Sequence, residues 1–287
     1  MIFVLLSVLC SVLVSVLLKL ARRLDIDVAQ AIAWNYVVAS ALTALVLSPS
    51  LASLGQSGAP WLSLLGLAAL LPTIFLALGA SVRHAGIVRS EAAQRLSLLL
   101  SLLAAFVLFG EQLTAFKLAG IALGLLALLS MIWRGDAAAS SDAAPNWRYP
   151  VLVFVGFALI DVLFKRVALA GVPLGASLQA MFALALPLAF ALPLWNHLHG
   201  KIRFNRRSVL GGIALGLANF GNILFYLRGH RALPDHPALV FASMNIGVVA
   251  LGALVGLLLF RERLSRLNLA GVWLALLAIG VIAWGQW

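Results

Sequence analysis

Only 9 of the 287 residues are acidic, against 20 lysines and arginines, and there is a single cysteine. Charged residues make up 10% of the chain, where a soluble domain carries roughly 25%. That is too little charge to dress a water-facing surface. The one cysteine, Cys10, excludes an internal disulfide and reads as a small apolar packing residue. Also missing are a phosphate-binding glycine loop, a G-x-S-x-G elbow, an H-E-x-x-H helix and paired cysteines, so the sequence offers no signal for an enzyme. His197 and His199 share a basic loop but stand too isolated to argue for a metal, and no cofactor is implied.

What the chain has instead is apolar length. Sixty-three per cent of its residues are hydrophobic and the mean hydropathy is +1.09. Runs of about 17–25 apolar residues, the length that spans a ~30 Å hydrocarbon layer, recur throughout. Ten are expected: 2–18, 28–47, 61–82, 87–109 and 116–132, then 150–169, 174–195, 209–227, 237–260 and 267–284. The first lacks a basic leader and a small-x-small cleavage site, so it reads as a retained helix and not a signal peptide. The net charge of +11 does not argue for nucleic acid. The basic residues are spread among helix ends, where anionic lipid headgroups account for them.

Two stretches are near-copies. Residues 109–133 (FGEQLTAFKLAGIALGLLALLSMIW) and 260–284 (FRERLSRLNLAGVWLALLAIGVIAW) share eleven of twenty-five positions at an offset of 260 − 109 = 151. Weaker matches extend the repeat: Lys19 meets Lys165, Ser15 meets Asp161, Pro72 meets Asn219, and Gln94 meets Asn245. Each half holds five spans, an odd number, so the second half must enter the membrane from the opposite side. The expected fold is an all-α membrane protein of ten transmembrane helices, built as two inverted five-helix repeats. Residues 1–135 form the first repeat, 136–148 a linker, and 149–287 the second. Inverted repeats around a midplane cavity recur among secondary transporters.

An apolar helix ending in Gly-Glu-x-Leu, a short hinge and a Gly-containing helix occur twice across the ten spans, with a lysine near the end of helix 1. Gly110-Glu111-Gln112-Leu113 carries the motif, and Arg261-Glu262-Arg263-Leu264 repeats it with arginine in place of glycine. In this the chain resembles the drug/metabolite transporter superfamily, in its ten-helix EamA-type branch. The resemblance covers essentially the whole chain and implies a central cavity lined by helices 1, 3, 4, 6, 8 and 9, with helices 5 and 10 as peripheral supports. Members carry amino acids, metabolites, sugars or lipid-linked sugars, so the substrate does not follow.

Charged residues inside a span cost roughly 2.5–3.5 kcal/mol each at the helix centre, and so mark candidate sites. Helix 4 carries Arg89, Glu91, Gln94 and Arg95 within its first nine residues. Three central charges would cost on the order of 7–10 kcal/mol, whereas its twelve Leu, Ile, Val and Phe residues return about 4–7 kcal/mol. Its polar stripe must therefore face the bundle or water. Glu91 and Arg95 stand i,i+4 on one face, either as a self-neutralising pair or as cavity residues. Asp161 and Lys165 repeat that spacing in helix 6. Lys19, with Ser15 where the acid would be, is either a headgroup anchor or a cavity cation. Asn219, Asn222 and Tyr226 share a face of helix 8, either as interhelical ties or as cavity lining. Asn245 and Gln94 form the next tier with Asn35 and Gln179, and Trp34 and Tyr36 are either interfacial or stacking residues. Glu111 and Glu262 read as structural caps at the starts of helices 5 and 10.

The candidate substrate-binding set is Lys19, Glu91, Gln94, Arg95, Asp161, Lys165, Asn219, Asn222, Tyr226 and Asn245. The first reading is a secondary transporter of a small polar metabolite, an amino acid or related anion or zwitterion, with Glu91 or Asp161 as proton exchangers. The alternatives are a lipid-linked sugar or phospholipid translocation factor, and a membrane scaffold subunit without a transport cycle. Expected partners are the lipid bilayer and a small-molecule substrate, with a homodimer left open and no nucleic acid. The excess of arginine at one set of helix ends places that face in the cytoplasm and both termini outside. The resemblance implies cytoplasmic termini instead.

Overall fold

The computed structural model describes residues 1–55, 59–109, 114–132, 147–233, 237–262 and 264–284. Among the described residues run ten α-helices and no strand. They are α1 (Ile2–Leu20), α2 (Val28–Leu42), α3 (Trp61–His84), α4 (Ile87–Phe109), α5 (Ala115–Ile132), α6 (Arg148–Leu169), α7 (Leu174–Leu198), α8 (Arg206–Ala232), α9 (Pro237–Leu258) and α10 (Arg266–Trp284). A π-helical turn over Thr43–Leu47 extends α2. The helices follow the apolar runs closely. The largest departure is α8, whose polar ends add Arg206 and the turn through Arg231. Five segments are long and apolar enough to cross a membrane by length and composition: α1, α2 with its π turn, α3, α7 and α8.

Local chemistry sets where several helices begin. Asp27 caps α2 by accepting from the Gln30 amide at 2.8 Å, and Asn205 caps α8 by accepting from the Ser208 amide at 2.7 Å. The Ser208 hydroxyl then accepts from the Asp27 amide, so the two starts sit side by side and α2 and α8 run in the same direction. At α10, Ser265 and Asn268 cap each other's backbone amides reciprocally, the geometry of a capping box.

Packing is inside-out relative to a soluble protein. Leu5, Leu9 and Leu13 of α1, Leu62 and Leu65 of α3, Leu126 and Leu129 of α5, and Leu210 and Leu217 of α8 are all exposed. Polar Ser7, Ser11, Ser15, Asn35, Ser81, Ser90 and Glu91 are buried. Water would not tolerate so continuous an apolar surface, whereas a bilayer requires one. This is an integral multi-pass membrane protein. Small residues allow the helix contacts: a Cβ at Gly212 would stand 2.4 Å from Trp34 Cβ and 2.7 Å from the Ala31 carbonyl oxygen, so α2 and α8 touch backbone to backbone. The principal helix pairs are α5–α10, α2–α8, α1–α8, α4–α6, α3–α6 and α2–α7.

Candidate functional site

A cavity of about 460 Å³ lies among the helices, within the range of small-molecule sites. One part of its wall is polar: Ser11 and Ser15 from α1, Gln94 and Arg95 from α4, Asp161 from α6, Asn219, Asn222 and Tyr226 from α8, and Asn245 from α9. The other part is apolar and largely aromatic, with Phe75 of α3, Phe157 and Phe164 of α6, and Met181 and Phe182 of α7. Tyr36 of α2 joins this part, its ring tilted against Phe182 and edge-on to Phe75. Helices 2 and 7 therefore contribute to the wall alongside the six helices expected, and no described residue of α5 or α10 does.

The charged members of the described wall are one cation and one anion. Asp161 is exposed to the cavity, and its Oδ2 accepts from the Ser101 hydroxyl at 2.8 Å. Arg95 Nη2 donates to Ser11 Oγ at 2.7 Å. Arg95 feels the charge of Glu91 first, and after it the Tyr226 phenol and Asp161. Arg95 and Asp161 lie in a partly apolar enclosure, where such fields are weakly screened.

The polar wall is organised by α1 in a way the sequence reading missed. Ser7, Ser11, Ser15 and Lys19 recur every fourth residue, and each reaches a different neighbour. Ser7 donates to the Asn222 carbonyl and side-chain oxygen at 2.9 and 2.8 Å. Ser11 accepts from Arg95, and Ser15 donates to Glu91 Oε1. Lys19 Nζ donates to the Val82 carbonyl at 2.9 Å. Glu91 and Arg95 are thus one helical turn apart on α4 and meet two serines one turn apart on α1. They make no direct ion pair, although each charge acts on the other across that turn. Glu91 is buried against Gly252 of α9, behind the cavity wall, with its second oxygen unpartnered. The signal was present as S-x-x-x-S-x-x-x-S-x-x-x-K, but serine is so common in apolar helices that the spacing drew no attention.

Lys19 and Lys165 also lie outside the cavity wall. Lys19 forms an ion pair with Glu262 at 3.3 Å and lies over the Phe260 ring. Glu262 in turn departs from its expected place at the start of α10. Its Oε1 accepts from the Ile87 amide at 2.7 Å and its Oε2 from the Val88 amide at 3.3 Å. The helix it caps is α4, because the chain after α9 turns back under the α3–α4 corner. Glu111 lies outside the described residues. Asn219 donates to Asn35 Oδ1 at 3.1 Å, and Gln179 donates to Ser40 away from the cavity. Trp34 packs edge-on against Phe190, an interhelical contact and not a stacking platform. Arg89 donates to Asn268 at 2.8 Å and so ties α4 to α10.

A ten-helix membrane bundle around a pocket bearing one cation, one anion and several amides has the form of a small-molecule transporter. Residues 1–133 match the EamA-like transporter family. An uncharacterized protein of Haemophilus influenzae is 42% identical over 283 residues, covering 95% of this chain and 94% of that one. A solved crystal structure superposes with a TM-score of 0.60 over 97% of this chain and 95% of its own, at 18% identity. The chain belongs to the EamA-like transporter family.

Proposed function

We propose that the chain is a secondary transporter of a small zwitterionic metabolite, an amino acid or close relative, working by alternating access across the cytoplasmic membrane of a bacterium. The observation that carries this is the pairing of Arg95 with Asp161 in one wall. A carboxylate on the substrate matches the guanidinium, its ammonium matches the Asp161 carboxylate, and Asn222, Tyr226 and Asn245 orient the head. The aromatic part of the wall takes the apolar body. Of the anion and zwitterion left open by the sequence, one positive and one negative charge in the wall favour the zwitterion, since Lys19 is committed to Glu262.

The two-repeat architecture is part of this reading, with units 1–135 and 149–287. Exchanging each helix for its mate five places on maps α1–α8 onto α6–α3, α1–α9 onto α6–α4, α2–α8 onto α7–α3 and α4–α5 onto α9–α10; α2–α7, α4–α9 and α5–α10 map onto themselves. All of these pairs pack, which supports a two-fold relation. Five helices per unit makes that relation an inversion. Arg22, Arg23, Arg83, Arg203, Arg207 and Arg261 crowd one end of the bundle, which the positive-inside rule places in the cytoplasm.

Reconstitution tests the function. Proteoliposomes loaded with a mixture of neutral amino acids should show counterflow of labelled ones, lost in Asp161→Asn. Scrambling of labelled phospholipid without counterflow would assign a lipid substrate instead, and neither activity would leave a scaffold. A reporter fused after Trp287 that is active only in the cytoplasm would reverse the orientation.

A further inference from the structure

The two ends of the cavity are unlike. Towards the α6–α7 corner it reaches Leu174, the first residue of α7, which is exposed. Towards the ends of α1 and α3 it stops at Leu78, and beyond it Leu18, Val82, Ile87 and Val88 are buried. What holds this end together is a carboxylate from the other half of the chain. Glu262 reaches from the α9–α10 connection into the corner between α3 and α4 and there takes the Ile87 and Val88 amides and the Lys19 ammonium. Gly86 has φ +95°, and a Cβ there would lie 2.5 Å from Glu262 Oε2; at Gly256 of α9 it would lie 3.0 Å from the same oxygen. At Gly86 the missing Cβ makes room for this carboxylate, and at Gly256 for Val88 as well as for the carboxylate. Lys19 adds a bond to the Val82 carbonyl, so the contact joins α1, α3, α4 and α9.

We propose that Glu262 and Lys19 are the gate that seals the cavity at its arginine-rich end, and that their ion pair separates when the cavity turns to face that end. This rests on the alternating-access reading above. The chemistry suits a reversible seal. Lys19 is partly exposed, with a side-chain accessibility of 23% against 10% for Glu262. A contact of this kind contributes modestly and can be exchanged for water, whereas the cap on α4 can persist when the lysine leaves. The gate is a positioning element, since neither residue lines the pocket.

The test needs no substrate. In a Cys10→Ser background, a reporter Leu78→Cys sits on the cavity wall just inside the seal. Membrane-impermeant maleimide applied to vesicles of each orientation should label it from the α6–α7 end only. Lys19→Met leaves both amide bonds to Glu262 available, and Glu262→Gln keeps a carbonyl acceptor for the cap. Each should raise labelling from the arginine-rich end by about tenfold, the scale of one partly solvated charged contact, with Lys19→Arg close to the parent. Unchanged labelling from that end in both variants, with melting temperatures equal to the parent, would overturn the gate. Equal labelling of the parent from both ends would overturn alternating access itself.

Discussion

The turns at the two ends of the bundle use the same backbone device for different ends. Gly86 between α3 and α4 and Gly171 between α6 and α7 both adopt positive φ, +95° and +74°. At Gly86 an added Cβ would run into the Glu262 carboxylate, whereas at Gly171 no described atom lies within 4 Å. The local requirement, a left-handed residue that only glycine meets cheaply, is shared. What differs is what fills the corner afterwards: an acid from the distant half at one end, open space at the other. A closed end and an open end thus arise from one turn chemistry, and the charges that face substrate are held apart from the charges that hold the seal.

The sharpest way to break that division is inside the cavity. Arg95→Ala removes the guanidinium that would meet a substrate carboxylate and takes away the Ser11 contact. Truncating one partner of a buried charged contact costs about 2–5 kcal/mol, so counterflow of labelled neutral amino acids should fall on the order of 100-fold or more. Lys19→Met, which touches only the seal, should retain substrate binding, read as the rise in melting temperature in detergent on adding the same amino acids, whereas Arg95→Ala should lose it. Equal loss of binding in both would show that the two charge groups are one site.

The glycines give the next effect. Gly86→Ala combines a left-handed conformation, roughly 1–2 kcal/mol for an L-residue, with displacement of the α4 cap, about 1 kcal/mol more. Gly171→Ala carries the conformational term alone. Melting temperatures in detergent should drop at least twice as far for Gly86→Ala as for Gly171→Ala, and similar drops would mean the corner holding Glu262 relaxes freely.

How much of this was legible in the chain follows from distance along it. The helices were, because a 20-residue apolar run has few other uses. The seven cavity members of the candidate set were found because polar groups in apolar helices are expensive and therefore few. Their partners were not legible. The i,i+4 spacing offered only neighbours on the same helix, whereas Glu91 also meets Ser15, 76 residues away, and Asp161 meets Ser101, 60 residues away. Glu262 lies 243 residues from Lys19. Periodicity shows which face a side chain occupies, but the facing helix is chosen by tertiary packing. The serine ladder is testable on these terms. Ser15→Ala leaves a buried Glu91 oxygen without its hydroxyl, a loss of roughly 1–3 kcal/mol, which should appear as a lower melting temperature; an unchanged value would mean the carboxylate has another partner.

The smallest effect concerns the motif itself. The Gly-Glu pair of the first half is Arg261-Glu262 in the second, and Arg261 sits at φ +50°, in the left-handed region. The Glu262 amide folds back onto the Gly256 carbonyl at 2.9 Å, closing a seven-residue turn onto the end of α9 through the left-handed Arg261. Glycine before the glutamate is then a backbone requirement: the turn aims the carboxylate at the α4 amides, and the arginine meets it under strain. Replacing Arg261 by glycine should relieve about 1 kcal/mol of that strain, less the extra entropy of a glycine in the unfolded chain, for a net stabilisation of a few tenths to about 1 kcal/mol. Arg261→Asn should recover part of the gain, since asparagine tolerates this conformation, and Arg261→Ala none. Were Arg261→Ala to stabilise as much as Arg261→Gly, the gain would come from removing a charge among the crowded arginines, and the closed end would owe its stability to electrostatics more than to the turn that delivers Glu262.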